Sequence, residues 1–212
     1  MLNIVSRRKS NIDFLNEKFS HSSPSEIINW AVKNSFNPVL TTSFGKFSSP
    51  LIHLANKIKP DIKILWIDSG YNTKNTYEFA YDLINTYKLN VEIFSPLNTR
   101  AYRDVYLGQP NPDELLFKKF SYELKVEPLQ RAFKKINPDM WVTNIRKYSN
   151  SYRQKLNIFS INNDGLLKIS PFYNYTDEEI TKYINSHGLP MNTDYFDPVK
   201  YYDKRECGIH LT

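Results

Sequence analysis

The segment around Cys207 combines a thiol with cationic and imidazole side chains, a pattern that suits nucleophilic sulfur chemistry. Cys207 is the single cysteine of the 212-residue chain, and Lys204, Arg205 and His210 lie within three positions of it. Nearby positive charge favours the thiolate, which is the nucleophilic form of cysteine. We therefore predict Cys207, Glu206 and His210 as catalytic residues, although most isolated cysteines are buried and inert.

The cysteine and histidine content limits the cofactors that the chain can bind. One cysteine cannot form an internal disulfide, and it cannot hold an iron–sulfur cluster, which takes about four thiolates. The four histidines include no pair at the spacing of metal ligands. The sequence therefore predicts no metal site and no bound cluster.

Two polar loops follow short apolar segments and could bind a ligand. Residues 43–48 precede a helix start, where backbone N–H groups, the helix dipole and a lysine suit a phosphate or sulfate. Residues 68–71 end the next strand, and ligands of parallel sheets bind beyond the carboxyl ends of strands. We expect both loops to face one crevice, although each could be an ordinary turn. The candidate binding residues are Ser43, Phe44, Gly45, Lys46 and Ser48 in the first loop and Asp68, Ser69, Gly70 and Tyr71 in the second.

The elements that must position these loops alternate between strand and helix. Capping boxes at Ser23 and Thr176 predict helix starts, a further helix opens at Ser49, and another covers residues 74–87. Strand candidates occur at residues 38–43, 63–68, 91–94, 140–143 and, more weakly, 166–169. The nearly continuous apolar run at residues 63–68 is typical of a strand buried on both faces of a parallel sheet. We predict an α/β domain over residues 1–190, with a parallel sheet and helices on both faces, and a flexible C-terminal catalytic tail over residues 191–212.

Composition and charge exclude several classes of protein. Hydrophobic residues make up 41% and charged residues 24% of the chain, which is typical of a globular domain rather than a disordered or collagen-like chain. The formal charge of +6 suits an anionic partner, and it is equally compatible with an ordinary soluble surface. The sequence contains no apolar run of the ~20 residues that a membrane span needs, so we expect a cytoplasmic protein without membrane association.

Taken together, these segments resemble the phosphoadenylyl-sulfate (PAPS) reductase family. Residues 204–210 are similar to the family's terminal Lys-x-Glu-Cys-Gly-Leu-His motif. The other similarities are collinear with the family's order: residues 42–45 resemble its modified PP-loop, residues 67–71 and 75–77 its Asp-Thr-Gly-Tyr…Glu-Thr-Tyr element, residues 125–129 its Lys-Val-Glu-Pro-Leu stretch, and residues 143–153 its Thr-Gly-x-Arg…Ser…Arg segment.

The resemblance implies a PP-loop fold of the adenine-nucleotide α-hydrolase type and the reduction of PAPS in sulfate assimilation. The Cys207 thiolate would attack the sulfur of PAPS, release adenosine 3′,5′-bisphosphate and become an S-sulfonate. Thioredoxin or glutaredoxin, as the electron donor, would then release sulfite. Homodimers occur among members of the family, although one sequence does not reveal an interface, and we expect no nucleic-acid partner. The basic residues that would hold the sulfate and phosphates are Lys125, Arg146, Arg153, Lys204 and Arg205.

The chain departs from the family pattern at several positions. Family members that act on adenylyl sulfate carry a Cys-Cys pair and a [4Fe–4S] cluster, and Phe120-Ser121 stands at that place here, which favours the PAPS-using branch. Leu124 stands where the family often has Arg. Only residues 191–206 separate Pro190 from Cys207, a shorter stretch than in the family.

Three alternatives remain open from the sequence. A cluster-free reductase could use adenylyl sulfate. A PP-loop enzyme that cleaves ATP would need a Ser-Gly-Gly-x-Asp-Ser loop, which residues 43–48 do not match. A non-catalytic nucleotide- or RNA-binding module could use some of the 15 Tyr and 13 Phe as stacking platforms.

Overall fold

A computed structural model describes residues 11–108 and 114–200 of the chain. Strands and helices alternate through most of these ranges. The strands are β1 (Pro38–Thr42), β2 (Lys63–Ile67), β3 (Val91–Phe94), β4 (Met140–Val142), β5 (Phe159–Ile161) and β6 (Leu167–Ile169). The helices are α1 (residues 11–18), α2 (Pro24–Lys33), α3 (Ser49–Ile58), α4 (Lys74–Tyr87), α5 (Arg100–Tyr106), α6 (Glu114–Ser121), α7 (Glu127–Ile136) and α8 (Asp177–Ser186), and a π-helical turn, Tyr122–Val126, joins α6 to α7.

The six strands form one sheet in the order β3-β2-β1-β4-β6-β5. All neighbours pair in parallel except β5 and β6, which are antiparallel. The predicted parallel sheet is therefore confirmed, with an antiparallel edge strand that the sequence analysis missed. That strand turns into β6 at Asn162–Gly165, where Gly165 has a positive φ of 83°. The Asn-Asp-Gly stretch before β6 is a hairpin signal that could have revealed it.

Helices cover both faces of the sheet. Successive residues of a strand point to opposite sides, so each central strand packs against helices on both faces. Leu40, Ile64 and Val142 belong to one buried cluster, which also contains residues of α3, α4 and α8. Val39 and Leu65, their neighbours along the strands, belong to a second cluster that contains residues of α7. This period of two, with burial on both faces, explains the nearly continuous apolar runs of the central strands.

Local sequence signals set the helix starts as predicted. The Ser23 hydroxyl accepts a hydrogen bond from the Glu26 N–H, and the Glu26 carboxylate accepts one from the Ser23 N–H at 2.7 Å. Thr176 and Glu179 form the same capping box at α8. Each box satisfies backbone N–H groups that a helix otherwise leaves unpaired at its first turn. In the part of the chain that the structure describes, no helix has the length and apolarity to cross a bilayer.

Residues 191–200, here called the strap, cross back over the domain after α8. A flexible tail is predicted for these residues, but Asn192, Asp197 and Val199 are buried. Val199 is fully buried in a cluster with Tyr71 of the loop after β2, Leu107 at the end of α5, and residues of α6 and the π-helical turn. The packed part of the chain therefore extends to the end of the described residues. Residues 201–212, with Cys207, lie outside the described ranges.

Candidate active site

A pocket opens at the edge of the sheet where the carboxyl ends of β1 and β4 lie, with one residue of β2, Ile67, in its wall. This is the edge at which parallel α/β sheets bind ligands. Four segments build it: the β1–α3 loop, the π-helical turn, the segment after β4, and the strap. The lining residues are Thr41, Thr42, Ser43, Gly45, Lys46, Phe47, Ser48, Ile67, Lys125, Asn144, Arg146, Ser149, Arg153, Tyr195, Asp197 and Lys200.

The β1–α3 loop contributes backbone and small side chains to the pocket, while Phe44 anchors the loop in the core. Phe44 has a left-handed backbone with φ of 48° and is fully buried, with its ring edge-on to Trp66 at 4.8 Å between centroids. Its N–H donates to Thr42 Oγ1 at 3.0 Å. The side chain of Phe44 was predicted to bind substrate, but it points away from the pocket because the positive φ directs it into the apolar core.

The strap lies against the same loop at Gly45. A Cβ at Gly45 would sit 3.5 Å from the ring of Tyr195, an ordinary van der Waals contact, so the loop and the strap are packed together here. Ser48 closes the turn before α3, because both its N–H and its hydroxyl donate to the Gly45 carbonyl, at 3.0 and 2.8 Å. The predicted loop residues Ser43, Gly45, Lys46 and Ser48 therefore all line the pocket.

The ring of Phe47 places two cations at the pocket. The Lys46 ammonium lies 4.9 Å and the Arg146 guanidinium 4.6 Å from its centroid, within the range of cation–π attraction. Arg146 also donates to Asp177 Oδ1 at 2.5 Å, which orients a guanidinium that is itself mostly buried. The planar guanidinium has further N–H groups with which to bind an anion.

A buried ion pair joins the π-helical turn to the strap. Lys125 Nζ lies 3.7 Å from Asp197 Oδ2, and each side chain is about one-twentieth exposed. Burial opposes the charge on Asp197. However, Lys125, Lys200, the Val199 N–H and the Tyr195 hydroxyl together hold the pKa of Asp197 below its ordinary value. The carboxylate therefore stays ionised at neutral pH and keeps the ammonium of Lys125 at the pocket.

Hydrogen bonds from the strap also hold the β1–α3 loop against α4. Asn192 donates through Nδ2 to the Phe44 carbonyl at 2.8 Å and to Thr76 Oγ1 at 2.9 Å. The Thr73 hydroxyl, at the start of α4, donates to the Asp194 carbonyl at 2.6 Å. Thr76 lies in the segment whose sequence resembles the family's Glu-Thr-Tyr element. These bonds make the strap part of the pocket's framework.

Charge in the pocket is positive. The lining contains five cationic side chains, Lys46, Lys125, Arg146, Arg153 and Lys200, and one carboxylate, Asp197. A second carboxylate, Asp177, pairs with Arg146 beside the pocket. Partly buried cations lower the energy of an anion far more than exposed ones do, because water screens them less. The arrangement can bind a ligand with several negative charges. Three of the predicted basic residues, Lys125, Arg146 and Arg153, are thus brought together here.

The second predicted loop lies outside this pocket, contrary to the expectation that both loops face one crevice. The Asp68 carboxylate accepts hydrogen bonds from the Gly70 N–H, Asn72 Nδ2 and the Tyr77 hydroxyl, all within 3.0 Å. Ser69 Oγ accepts from the Tyr71 N–H at 3.2 Å. The Tyr71 hydroxyl donates to Asp104, and burial together with this carboxylate raises the pKa of Tyr71 to about 12.

These polar groups therefore stabilise their own turn. A role in binding for Asp68, Ser69, Gly70 and Tyr71 remains a prediction that their contacts do not support. The predicted residues of the terminal motif, Lys204, Arg205, Glu206, Cys207 and His210, lie outside the described residues.

Sequence reasoning missed several lining residues, chiefly Asn144, Tyr195, Asp197 and Lys200. Three of them belong to the strap, which has neither helical nor strand periodicity. The Asp-Pro dipeptide there is an ordinary loop signal, so no local pattern indicates that Asp197 pairs with a lysine 72 positions earlier. Asn144 stands at the Gly position of the Thr-Gly-x-Arg motif that residues 143–153 resemble, a difference in the sequence from which no prediction was made.

The mainly parallel sheet with helices on both faces is an α/β fold of the PP-loop type. A solved structure of NH3-dependent NAD synthetase from Campylobacter jejuni superposes with a TM-score of 0.56 at 18% identity, covering 84% of this chain and 73% of that one. At this identity the likeness concerns the fold alone.

The family is identified by its sequence profile. The phosphoadenosine phosphosulfate reductase domain matches residues 37–198, and the chain belongs to that family. A phosphoadenosine 5′-phosphosulfate reductase from Synechococcus sp. is 28% identical over 93% of this chain and 96% of its own length. One from Xanthomonas axonopodis pv. citri is 29% identical over 98% and 95%. A crystal structure of PAPS reductase from Candida auris, in a phosphate complex, superposes with a TM-score of 0.73 at 26% identity, covering 85% and 87% of the two chains.

Proposed function

We propose that this protein reduces PAPS to sulfite and adenosine 3′,5′-bisphosphate in sulfate assimilation, with Cys207 as the nucleophile. The observation that carries the proposal is the pocket with five cations and one carboxylate in a chain of the phosphoadenosine phosphosulfate reductase family. PAPS has a sulfate and two phosphate groups, so its negative charge complements that of the pocket.

The described residues would bind and orient the substrate. The β1–α3 loop lies at the N-terminal end of α3, where unpaired N–H groups and the helix dipole favour a phosphate. Lys125, which Asp197 of the strap holds, and Lys46 and Arg146, which contact the Phe47 ring, would neutralise the remaining negative charge of the substrate. Binding would thereby fix the sulfate sulfur in one position, which lowers the entropic cost of nucleophilic attack.

The reaction would proceed in two displacements. First, the Cys207 thiolate attacks the sulfur of PAPS; an S–S bond forms, the bond to the bridging oxygen breaks, and the bisphosphate leaves with that oxygen and its electron pair. Second, a thiolate of a dithiol protein attacks Cys207 Sγ, and the sulfur–sulfur bond breaks to release sulfite. The second thiol of that partner resolves the mixed disulfide, so the dithiol supplies the two electrons.

The position of the strap makes this attack feasible. Lys200 lines the pocket, and Cys207 follows it by seven positions. A chain spans at most about 3.5 Å per residue, so the thiol lies within roughly 25 Å of Lys200 in every conformation. Pro190 and Cys207 are closer in sequence here than in the family pattern. The strap compensates for this because it brings the chain to the pocket before the terminal motif begins.

The partner and setting follow from the chemistry. The reductant would be thioredoxin or glutaredoxin, which keep dithiols reduced in the cytoplasm. No cluster would take part, because one cysteine per chain cannot ligate it. The charge of the pocket favours PAPS over adenylyl sulfate, which lacks the 3′-phosphate.

The proposal is tested by sulfite release from PAPS in the presence of reduced thioredoxin. The wild-type protein should release sulfite, and Cys207→Ser should release none while it binds adenosine 3′,5′-bisphosphate with nearly unchanged affinity. Loss of binding together with activity would mean that Cys207 has a structural role. Sulfite release that persists in Cys207→Ser would contradict the proposed nucleophile.

A further inference from the structure

The strap fixes a carboxylate in the wall of a pocket that is otherwise suited to anions. Asp197 Oδ1 accepts a hydrogen bond from the Val199 N–H at 3.1 Å, and Oδ2 accepts one from the Tyr195 hydroxyl at 3.2 Å. Val199 is fully buried, so the carboxylate cannot move away without loss of these contacts. A charge acts across several ångströms, and Asp197 therefore affects a bound anion without touching it.

The charges beside the strap leave a small positive excess. Lys125 Nζ lies 3.7 Å from Asp197 Oδ2, and the charge of Lys200 acts on the same carboxylate. We call Lys125, Asp197 and Lys200 the strap end of the pocket, which all three line. Two ammonium groups and one carboxylate have one net positive charge. This charge complements a group with a single negative charge, whereas a second negative charge would remain uncompensated in a partly buried site, which is costly.

Sulfate and phosphate esters differ in this property. A sulfate ester carries one negative charge, whereas a terminal phosphate carries about 1.5 to 2 at neutral pH, because its second pKa is about 6. The two groups have the same tetrahedral shape and the same number of terminal oxygens, so charge is the main property that distinguishes them. In the proposed reaction Cys207 attacks the sulfate, and the strap leads into Cys207. The sulfate would therefore lie at the strap end.

We propose that Asp197 is a specificity-determining residue that favours sulfate over phosphate as the terminal group of the bound nucleotide. The inference rests on the proposed function, because it takes PAPS as the ligand. The carboxylate acts against the wrong ligand, since a nucleotide that ends in phosphate would otherwise gain from every cation of the pocket.

Isothermal titration calorimetry with two ligands tests the inference. The ligands are PAPS and adenosine 3′-phosphate 5′-diphosphate, which has a phosphate in place of the sulfate. Cys207→Ser is the parent protein, because it lacks the proposed nucleophile. The parent should bind PAPS about tenfold more tightly than the diphosphate, and addition of Asp197→Asn should reduce this preference to within about twofold. Asp194→Asn removes the same charge from an exposed position of the strap outside the pocket, and should keep the preference.

A second measurement uses the parent alone and does not depend on the folding of Asp197→Asn. Lowering the pH from about 8 to about 5.5 adds a proton to the terminal phosphate. The Asp197 carboxylate stays ionised, because its pKa lies below the ordinary aspartate value of about 4. The 3′-phosphate is common to both ligands and cancels in the ratio. The preference for PAPS should therefore shrink as the pH falls. If the cations alone acted, the preference would grow, because the protonated phosphate would lose attraction.

Equal affinities of the parent for the two ligands would overturn the inference, and so would an undiminished preference in folded Asp197→Asn. A preference for PAPS that grows as the pH falls would overturn it as well. Sulfite release from PAPS by the wild-type protein separates the two proposals. Release together with equal affinities overturns the role of Asp197 alone, whereas a folded protein that binds neither ligand and releases no sulfite overturns both.

Discussion

The two loops that follow β1 and β2 look alike in sequence but differ in how their polar groups are used. Both come after short buried strands, and both contain serine and glycine with a charged residue. In the β1–α3 loop, Lys46 is exposed at the pocket, and Phe44 anchors the backbone from the core. In the loop after β2, Asp68 and Ser69 accept hydrogen bonds from their own turn.

The difference shows that a strand-end position locates a loop without deciding its role. An apolar residue at position 44 provides the anchor in the first loop, so its polar groups remain for a ligand. A carboxylate at position 68 provides the anchor in the second loop, and its acceptor capacity is consumed by three donors. Polar residues at the end of a strand are thus a binding signal only if another residue stabilises the turn.

We expect the largest effect, on stability, from a substitution of Asp197, which pairs with Lys125 at the pocket and has no counterpart in the loop after β2. Asp197→Asn leaves the Lys125 ammonium buried without its carboxylate, and we expect a loss of about 3 kcal/mol in the free energy of unfolding at pH 7. Urea denaturation measures it. Asp61→Asn, in an exposed pair with Lys59, is the matched control and should change stability much less.

The Asp197 carboxylate should also make the free energy of unfolding depend on pH. Its pKa is lowered in the folded state, so its stabilisation is present above the ordinary aspartate value of about 4 and is lost as the pH falls through the folded-state pKa. The difference in stability between wild type and Asp197→Asn should therefore shrink below about pH 4. A difference that stays constant down to acidic pH would contradict the buried ion pair.

A smaller effect, on nucleotide affinity, should distinguish Arg146, which contacts Phe47 of the β1–α3 loop, from Arg100, which contacts Tyr71 of the loop after β2. Arg146→Ala removes a buried guanidinium from the pocket and should weaken binding of adenosine 3′,5′-bisphosphate by roughly 10- to 100-fold, the range for hydrogen bonds to charged groups. Arg100→Ala removes a half-exposed guanidinium that stacks over Tyr71, and affinity should stay within about twofold. Equal losses in the two variants would mean that both loops bind the nucleotide.

The smallest effect on binding should come from Asp68. Asp68→Ala removes the acceptor for three hydrogen bonds and should lower the free energy of unfolding by about 1–2 kcal/mol. Nucleotide affinity should remain within about twofold, because the carboxylate stabilises its own turn rather than the ligand. Isothermal titration calorimetry on the folded variant measures this affinity, and a tenfold loss would show that Asp68 does contribute to nucleotide binding.

Much of the fold could be predicted from the sequence because its signals are local. Helix α4 and strand β3 have the predicted bounds, since a capping threonine and a short apolar run mark them directly. Strand β5 was missed, because three residues are too few to show a period. Its pairing depends on the hairpin with β6 rather than on its own pattern.

The candidate site was only partly predictable because its contacts join distant positions. The cations Lys125, Arg146 and Arg153 could be named from the resemblance, and the structure brings them together. The pairing of Lys125 with Asp197 could not, since no local pattern specifies a partner 72 positions away. Hydrogen bonding within the loop after β2 could not be predicted either, because the sequence shows which groups are polar but not which of them are already paired.

The most direct test of the account is the intact mass of the protein after incubation with PAPS in the absence of any reductant. We expect a gain of one SO3 unit per chain, located on Cys207 and lost on addition of reduced thioredoxin, with PAPS more effective than adenylyl sulfate. A folded protein that binds the bisphosphate yet stays unmodified at saturating PAPS would contradict the S-sulfonate mechanism.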